Sequence, residues 1–189
     1  MARACVANHT GRWLGNLYVL VVGSMLFGGR KNTSNKEDKR ITVLAPMDGE
    51  LIQVTAVDDP TFSEEMLGRG VAIRPSGGKA VSPVSGTVTQ MFDTGHAVTV
   101  TSDDGVEILI HIGLNTVELK GEHFKKCANG GDRVVPGDLL IEFDGASIKA
   151  AGYDTVTPIV VCNSDDFSSF VPQADKIVAE GEEIIYLLK

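Results

Sequence analysis

Thr94-Gly95-His96-Ala97-Val98-Thr99-Val100-Thr101, Ser102-Asp103-Asp104-Gly105 and Val106-Glu107-Ile108-Leu109-Ile110-His111-Ile112-Gly113 follow one another without a break. Asp-Gly between two runs of β-branched residues predicts a tight β-hairpin. With the turn centred between Asp103 and Asp104, cross-strand partners have numbers summing to 207, as those of His96 and His111 do. Directly opposed residues share a face, with Cβ atoms about 4.5–5.5 Å apart. Two imidazoles so placed grip one small charged group: a metal ion, or a phosphoryl group carried on a ring nitrogen. A turn shifted by one residue removes this pairing.

The rest of the chain from Ile41 onward follows the same grammar. Short apolar runs alternate with Gly, Pro, Asp and Ser, and no long helical periodicity appears. This predicts an all-β fold, an antiparallel β-sandwich or barrel. Short helical turns are expected within Asp59–Leu67, Gly121–Asn129 and Asp165–Phe170. Two pairs of segments echo each other. Ala45-Pro46-Met47-Asp48-Gly49-Glu50-Leu51 matches Ser82-Pro83-Val84-Ser85-Gly86-Thr87-Val88, and Asp132–Leu140 matches Asp175–Ile184. Such duplication implies two similar β-units closing on one core. Similar segments occur in lipoyl and biotinyl carrier domains. Those carry a modified lysine at a hairpin tip; here the tip is Asp103-Asp104, so that function does not transfer.

With 189 residues the chain suits one good-sized domain. Its net charge of −8 is uneven: residues 1–40 hold seven Lys/Arg against two Asp/Glu, and the remainder ten against 23. An acidic body argues against nucleic acid as a partner and suits a protein with a basic docking face. It also serves plain solubility. Cys5, Cys127 and Cys162 form no C-x-x-C, which points to a reducing, cytoplasmic setting. Cys162, at the end of an apolar run, is expected to be a buried small hydrophobe.

Residues 1–40 read as a leader and linker, with one domain over 41–189. Trp13–Phe27 is apolar but shorter than the roughly 20 residues of a spanning helix. Arg30–Arg40 is polar and charged, as a flexible linker is. A membrane anchor, a signal sequence and translated upstream sequence compete. The last is favoured, with the true start near Met25, and a weak leader would be the chain's own route to a membrane.

Gly105–Val117 resembles the signature of the glucose-type IIA proteins of the bacterial phosphoenolpyruvate-dependent sugar phosphotransferase system. Thr94-Gly95-His96-Ala97 is similar to the segment that holds that family's second histidine, and Glu118–Glu122 and Thr157–Val161 also look like the family. The likeness runs from about Ile41 to Lys189 and its central motif is long and gapless.

The resemblance implies a phosphotransferase component with an antiparallel β-sandwich of the barrel-sandwich hybrid type, a duplicated hybrid motif. His111 would take a phosphoryl group from the phosphocarrier HPr and pass it to a cysteine of a IIB permease domain, whose IIC portion spans the membrane. His96 would stay unphosphorylated and stabilise the transferring group. Imidazole suits this task, being largely unprotonated near neutrality. Thr94, read as lying two residues before His96 on the same strand face, has a hydroxyl placed to fix the His96 tautomer, though it also fits a plain surface threonine. By position, an apolar docking patch would involve Phe62, Met66, Leu67, Phe92, Val98 and Leu109. Val98 and Leu109, taken singly, also fit ordinary core packing. Asp59 fits one place on the acidic rim, and Asn115 stands where the family usually has aspartate. Weaker or less salt-sensitive HPr docking follows from that departure. His9 and His123 receive no role.

Two other readings stand beside the carrier. One is a regulatory binding protein of the same family, using the same patch on permeases or kinases. The other is a zinc hydrolase: His96 and His111 with one carboxylate make a plausible zinc set, but no H-x-H or H-E-x-x-H motif occurs. No cofactor is required by the carrier reading, although zinc at His96 and His111 with a partner's carboxylate remains compatible with it.

Overall fold

The two echoed segments introduce two copies of one β-motif in the computed structural model, which describes residues 39–189. The expected leader and the start near Met25 lie outside the described residues. The first copy opens with β1 (Arg40–Leu44), β2 (Gly49–Gln53) and β3 (Arg69–Pro75). The second copy follows entire: β4 (Lys79–Val81), β5 (Gly86–Met91), β6 (Ala97–Ser102), β7 (Glu107–His111), β8 (Phe124–Lys126), β9 (Arg133–Val134) and β10 (Leu139–Phe143). The first copy then resumes with β11 (Thr157–Val161), β12 (Ser169–Pro172), β13 (Lys176–Val178) and β14 (Glu183–Leu188).

The pairings repeat the duplication. β1-β14-β12 and β4-β10-β8 are matching three-stranded sheets, and an eight-stranded sheet runs β13-β2-β3-β11-β7-β6-β5-β9. The two proline loops exchange equivalent hydrogen bonds, Leu44 N–H to Pro83 O at 3.1 Å and Val81 N–H to Pro46 O at 2.9 Å. Gly49 and Gly86 are required at matching places: a Cβ would lie 2.2 Å from Arg74 O in one and 2.2 Å from Thr101 O in the other. The fold is the antiparallel β-sandwich expected from the sequence, with few helices.

Strand alternation in the large sheet divides the core. Leu51, Val71, Ile73, Val98, Val100, Ile108, Ile110 and Ile159 point into the main core. Ile52, Ala72, Ala97, Leu109 and Val160 point to the other face, where Val54, Val57, Phe62, Leu114 and Val156 cover them. Burial on both faces explains the unbroken apolar run of β7. Each fully buried aliphatic side chain contributes roughly 1.5–3 kcal/mol. His96 and His111 stand at the border of this second cluster.

Four expectations are corrected. The hairpin ladder pairs Ala97 with His111 and Thr101 with Glu107, one residue off the register expected. Ser102 N–H bonds Val106 O at 2.8 Å, and Gly105 takes φ +83°, so the loop has three residues, Asp103-Asp104-Gly105. A left-handed glycine closing a three-residue loop replaces the two-residue turn that Asp-Gly suggests. Gly121–Asn129 holds β8 rather than a helical turn, because Lys125 and its neighbours pair with β10. Tertiary pairing overrides local preference there. Cys162 falls one residue past β11 and is exposed. Thr94 lies in the turn before β6, not on a strand.

Two of the expected helical turns form, α1 (Pro60–Ser63) and a 3-10 turn at Ser164–Asp166. The six-residue α2 (Gly145–Ala150) was not anticipated; Asp144 caps it by accepting from Ala146 and Ser147 N–H. Among the described residues, no helix is long and apolar enough to cross a membrane.

Candidate active site

His111 ends β7 on the face of the second apolar cluster, following Glu107 and Leu109 at alternate positions. His96 reaches the same place by another route. Gly95 at φ +68° turns the chain just before β6, with its N–H on Phe92 O at 2.8 Å. His96 therefore stands off the pleat, its carbonyl accepting from Ile112 N–H at 2.8 Å. The register shift makes the histidines diagonal rather than opposed, yet their rings meet edge to face with centroids 4.9 Å apart.

Each imidazole is held through Nδ1. His111 Nδ1 lies 2.8 Å from Gly113 O. A carbonyl only accepts, so Nδ1 carries the proton and the Nε2 lone pair of the neutral ring is free. Thr94 Oγ1 lies 2.5 Å from His96 Nδ1, the contact expected of Thr94 although it is made from a turn.

Aromatic rings pack on both histidines: Phe62 on His111 at 5.2 Å and Phe92 on His96 at 5.5 Å between centroids. His96 is only 4% exposed. Burial, and then the neighbouring His111, push its pKa down to about 4. Burial also lowers that of His111; the Gly113 carbonyl and the charge of Asp59 oppose the shift without reversing it. Both rings are thus neutral near pH 7. Asp59 caps α1, accepting from Thr61 N–H at 2.8 Å, and this cap holds its carboxylate where His111 feels it.

The other expected docking residues divide. Phe62 and Leu109 are buried in the cluster beneath the site, and Phe92 is half-buried. Met66 is 69% exposed and Leu67 is also exposed, just beyond α1. Asn115 is exposed at φ +57°, a left-handed conformation that asparagine tolerates. Val98 is corrected: fully buried, it points into the main core, because the true register puts Ala97 and not Val98 on the face of His111.

Two residues escaped the sequence reading. Val117, half exposed on the 3-10 turn Thr116–Leu119, adds an apolar surface beside Asn115. Gly113 supplies the carbonyl for His111; its place two residues after the histidine was the available signal. No group of three or more His, Cys, Asp or Glu among the described residues is arranged to hold a metal ion. Zinc on His96 and His111 would need a ligand from elsewhere.

The β-sandwich presents one oriented, neutral imidazole beside another inside an apolar collar, an arrangement that suits a carrier of one small charged group. The comparisons are specific. The family model for the phosphoenolpyruvate-dependent sugar phosphotransferase system, EIIA 1, matches residues 41–167. The chain is 41% identical to the glucose-specific EIIA component of Haemophilus influenzae over 87% of its own length and 96% of that protein's. It is 45% identical to the beta-glucoside-specific EIIBCA component of Bacillus subtilis over 80% of this chain, but only 25% of that longer protein. The solved glucose permease IIA of Mycoplasma capricolum superimposes with a TM-score of 0.71 at 34% identity, covering 79% of this chain and 96% of that one. The chain belongs to the EIIA family of the sugar phosphotransferase system.

Proposed function

We propose that His111 is the phosphoryl acceptor of this EIIA protein and that HPr and a IIB permease domain are its donor and recipient. The observation that carries this reading is the commitment of His111 Nδ1 to Gly113 O, which leaves Nε2 as the only nucleophilic nitrogen of that ring. The Nε2 lone pair attacks the phosphorus of a donor phosphohistidine. A new P–N bond forms as the donor's P–N bond breaks, and the donor ring keeps the electron pair. The His111 ring gains positive character, which the Gly113 carbonyl stabilises through Nδ1–H. Transfer onward reverses the geometry, with a cysteine sulfur attacking phosphorus. Such transfer depends on positioning and charge stabilisation.

His96 meets the phosphoryl group from the side. When Thr94 donates its hydroxyl proton to His96 Nδ1, the other ring nitrogen carries hydrogen and donates to a phosphoryl oxygen. The apolar collar of Phe62, Phe92, Met66, Leu67 and Val117 excludes water and offers a docking face, while Asp59 offers charge to a basic partner. This work belongs to the transferase class and to the cytoplasmic face of a sugar permease.

The test is reconstitution with phosphoenolpyruvate, Mg²⁺, enzyme I and HPr. Wild-type protein takes up acid-labile phosphate and His111→Gln takes up none. Equal labelling of His111→Gln contradicts the assignment.

A further inference from the structure

The peptide between Gly113 and Leu114 is held at both ends. Its carbonyl receives the His111 Nδ1 proton at 2.8 Å. Its N–H, on Leu114, donates to Asp154 O at 3.0 Å. A trans peptide points these two groups in opposite directions. The series His111 Nδ1–H, Gly113 C=O, Leu114 N–H and Asp154 C=O is therefore one continuous line of dipoles, each polarising the next.

Asp154 is itself fixed. Its Oδ1 accepts from Val156 N–H at 2.8 Å, a side-chain turn that sets the direction of its backbone. Tyr153 O–H donates to Glu118 Oε2 at 3.2 Å, tying the same loop to the 3-10 turn after the site. Contact is close enough that a Cβ on Gly113 would stand 2.6 Å from Asp154 O and 2.5 Å from Thr116 Cγ2. On the near side, fully buried Thr116 donates its hydroxyl to Ile112 O, and Ile112 N–H bonds His96 O.

We propose that Asp154 is a positioning residue for His111, acting through the Gly113–Leu114 peptide and fixing the tautomer that exposes Nε2. It touches no reacting atom. It lies some forty residues from the histidine in sequence, on the loop that joins the two copies of the motif. This rests on His111 being the acceptor, but its test reads a property of the ring that exists before any transfer.

The experiment is ¹⁵N NMR of the histidine rings, together with the rate of labelling from phospho-HPr, in wild type, Asp154→Ala and Asp154→Asn. Wild type shows His111 as the Nδ1–H tautomer. In Asp154→Ala the ring becomes a tautomer mixture. Its maximal labelling rate falls about ten-fold, the scale of losing an outer hydrogen-bond partner, while half-saturating phospho-HPr changes less than about two-fold. Asp154→Asn keeps a side-chain oxygen for Val156 N–H and recovers both readouts. A folded Asp154→Ala with the wild-type tautomer and rate overturns the proposal, as does an Nε2–H tautomer in wild type, which needs no variant. Failure of His111 to accept phosphate would leave the tautomer result standing, so the two claims fail separately.

Discussion

The rings of His96 and His111 meet edge to face, 79° between planes and 4.9 Å between centroids, although the two residues are not cross-strand partners. Strand pairing alone aims Ala97 at His111. The glycine turn before β6 moves His96 off the pleat and into range. The arrangement keeps two neutral imidazoles in contact, and protonating either one would place charge in an apolar collar.

This gives a pH dependence. The folded protein keeps His96 neutral down to about pH 4, whereas the unfolded chain protonates it below its ordinary value of 6.5. Between these values the unfolded state binds more protons, so stability is full above pH 6.5 and falls as pH drops toward 4. The loss from His96 reaches about 3 kcal/mol, and the lowered pKa of His111 acts in the same direction. Urea midpoints from pH 7 to 4 should fall less steeply in His96→Gln. Equal slopes would show that His96 titrates as an ordinary surface histidine.

Phosphorylation should reverse the shift. A dianionic group on His111 favours a cation beside it, and the His96 ring is the nearest candidate. The His96 C–H resonances of phosphoprotein should titrate at least one unit higher than those of free protein. An unmoved titration would remove His96 from contact with the phosphoryl group.

His96→Gln should still accept phosphate, because His111 and its Gly113 contact are untouched. Onward transfer to a IIB cysteine, where charge builds between two partners, should slow by ten-fold or more. Stopped-flow transfer from labelled His96→Gln protein at the wild-type rate would contradict this division of roles.

Gly113→Ala meets two obstacles, a φ of +75° and backbone at 2.6 Å from the new methyl. We expect a loss of roughly 2–4 kcal/mol in stability and labelling slowed well beyond that of Asp154→Ala. A thermal melt within a degree of wild type would mean the turn rearranges freely.

Asn115→Asp adds a negative charge to an exposed rim position. Association with HPr should quicken about two- to five-fold at low ionic strength, with the gain lost in high salt. Association rates identical at both salt concentrations would place the residue outside the docking face.

Much of this was legible in the chain. The echoed Pro-x-x-Gly segments announced the duplication, since each glycine sits where backbone from the next strand leaves no room for a side chain. The histidines were found by motif and by hairpin, but the hairpin argument reached the right pair through the wrong register. Asp-Gly does not distinguish a two-residue loop from a three-residue one whose last member is left-handed. Val98, assigned to the docking patch by its position in the family pattern, is instead in the main core. The Asp154 contact was invisible because its carbonyl reaches Leu114 N–H through backbone atoms, and only the Oδ1 turned onto Val156 N–H depends on residue type. Cys162 looked buried only because the end of β11 is not marked in its apolar run.

The central claim concerns one nitrogen atom. Uniformly ¹⁵N-labelled protein, phosphorylated through enzyme I and HPr, can be examined for phosphorus–nitrogen coupling in its histidine rings. The account predicts ³¹P coupled to Nε2 of His111, with Nδ1 of the same ring protonated and His96 free of phosphorus. Phosphorus on Nδ1 of His111, or on either nitrogen of His96, would contradict it.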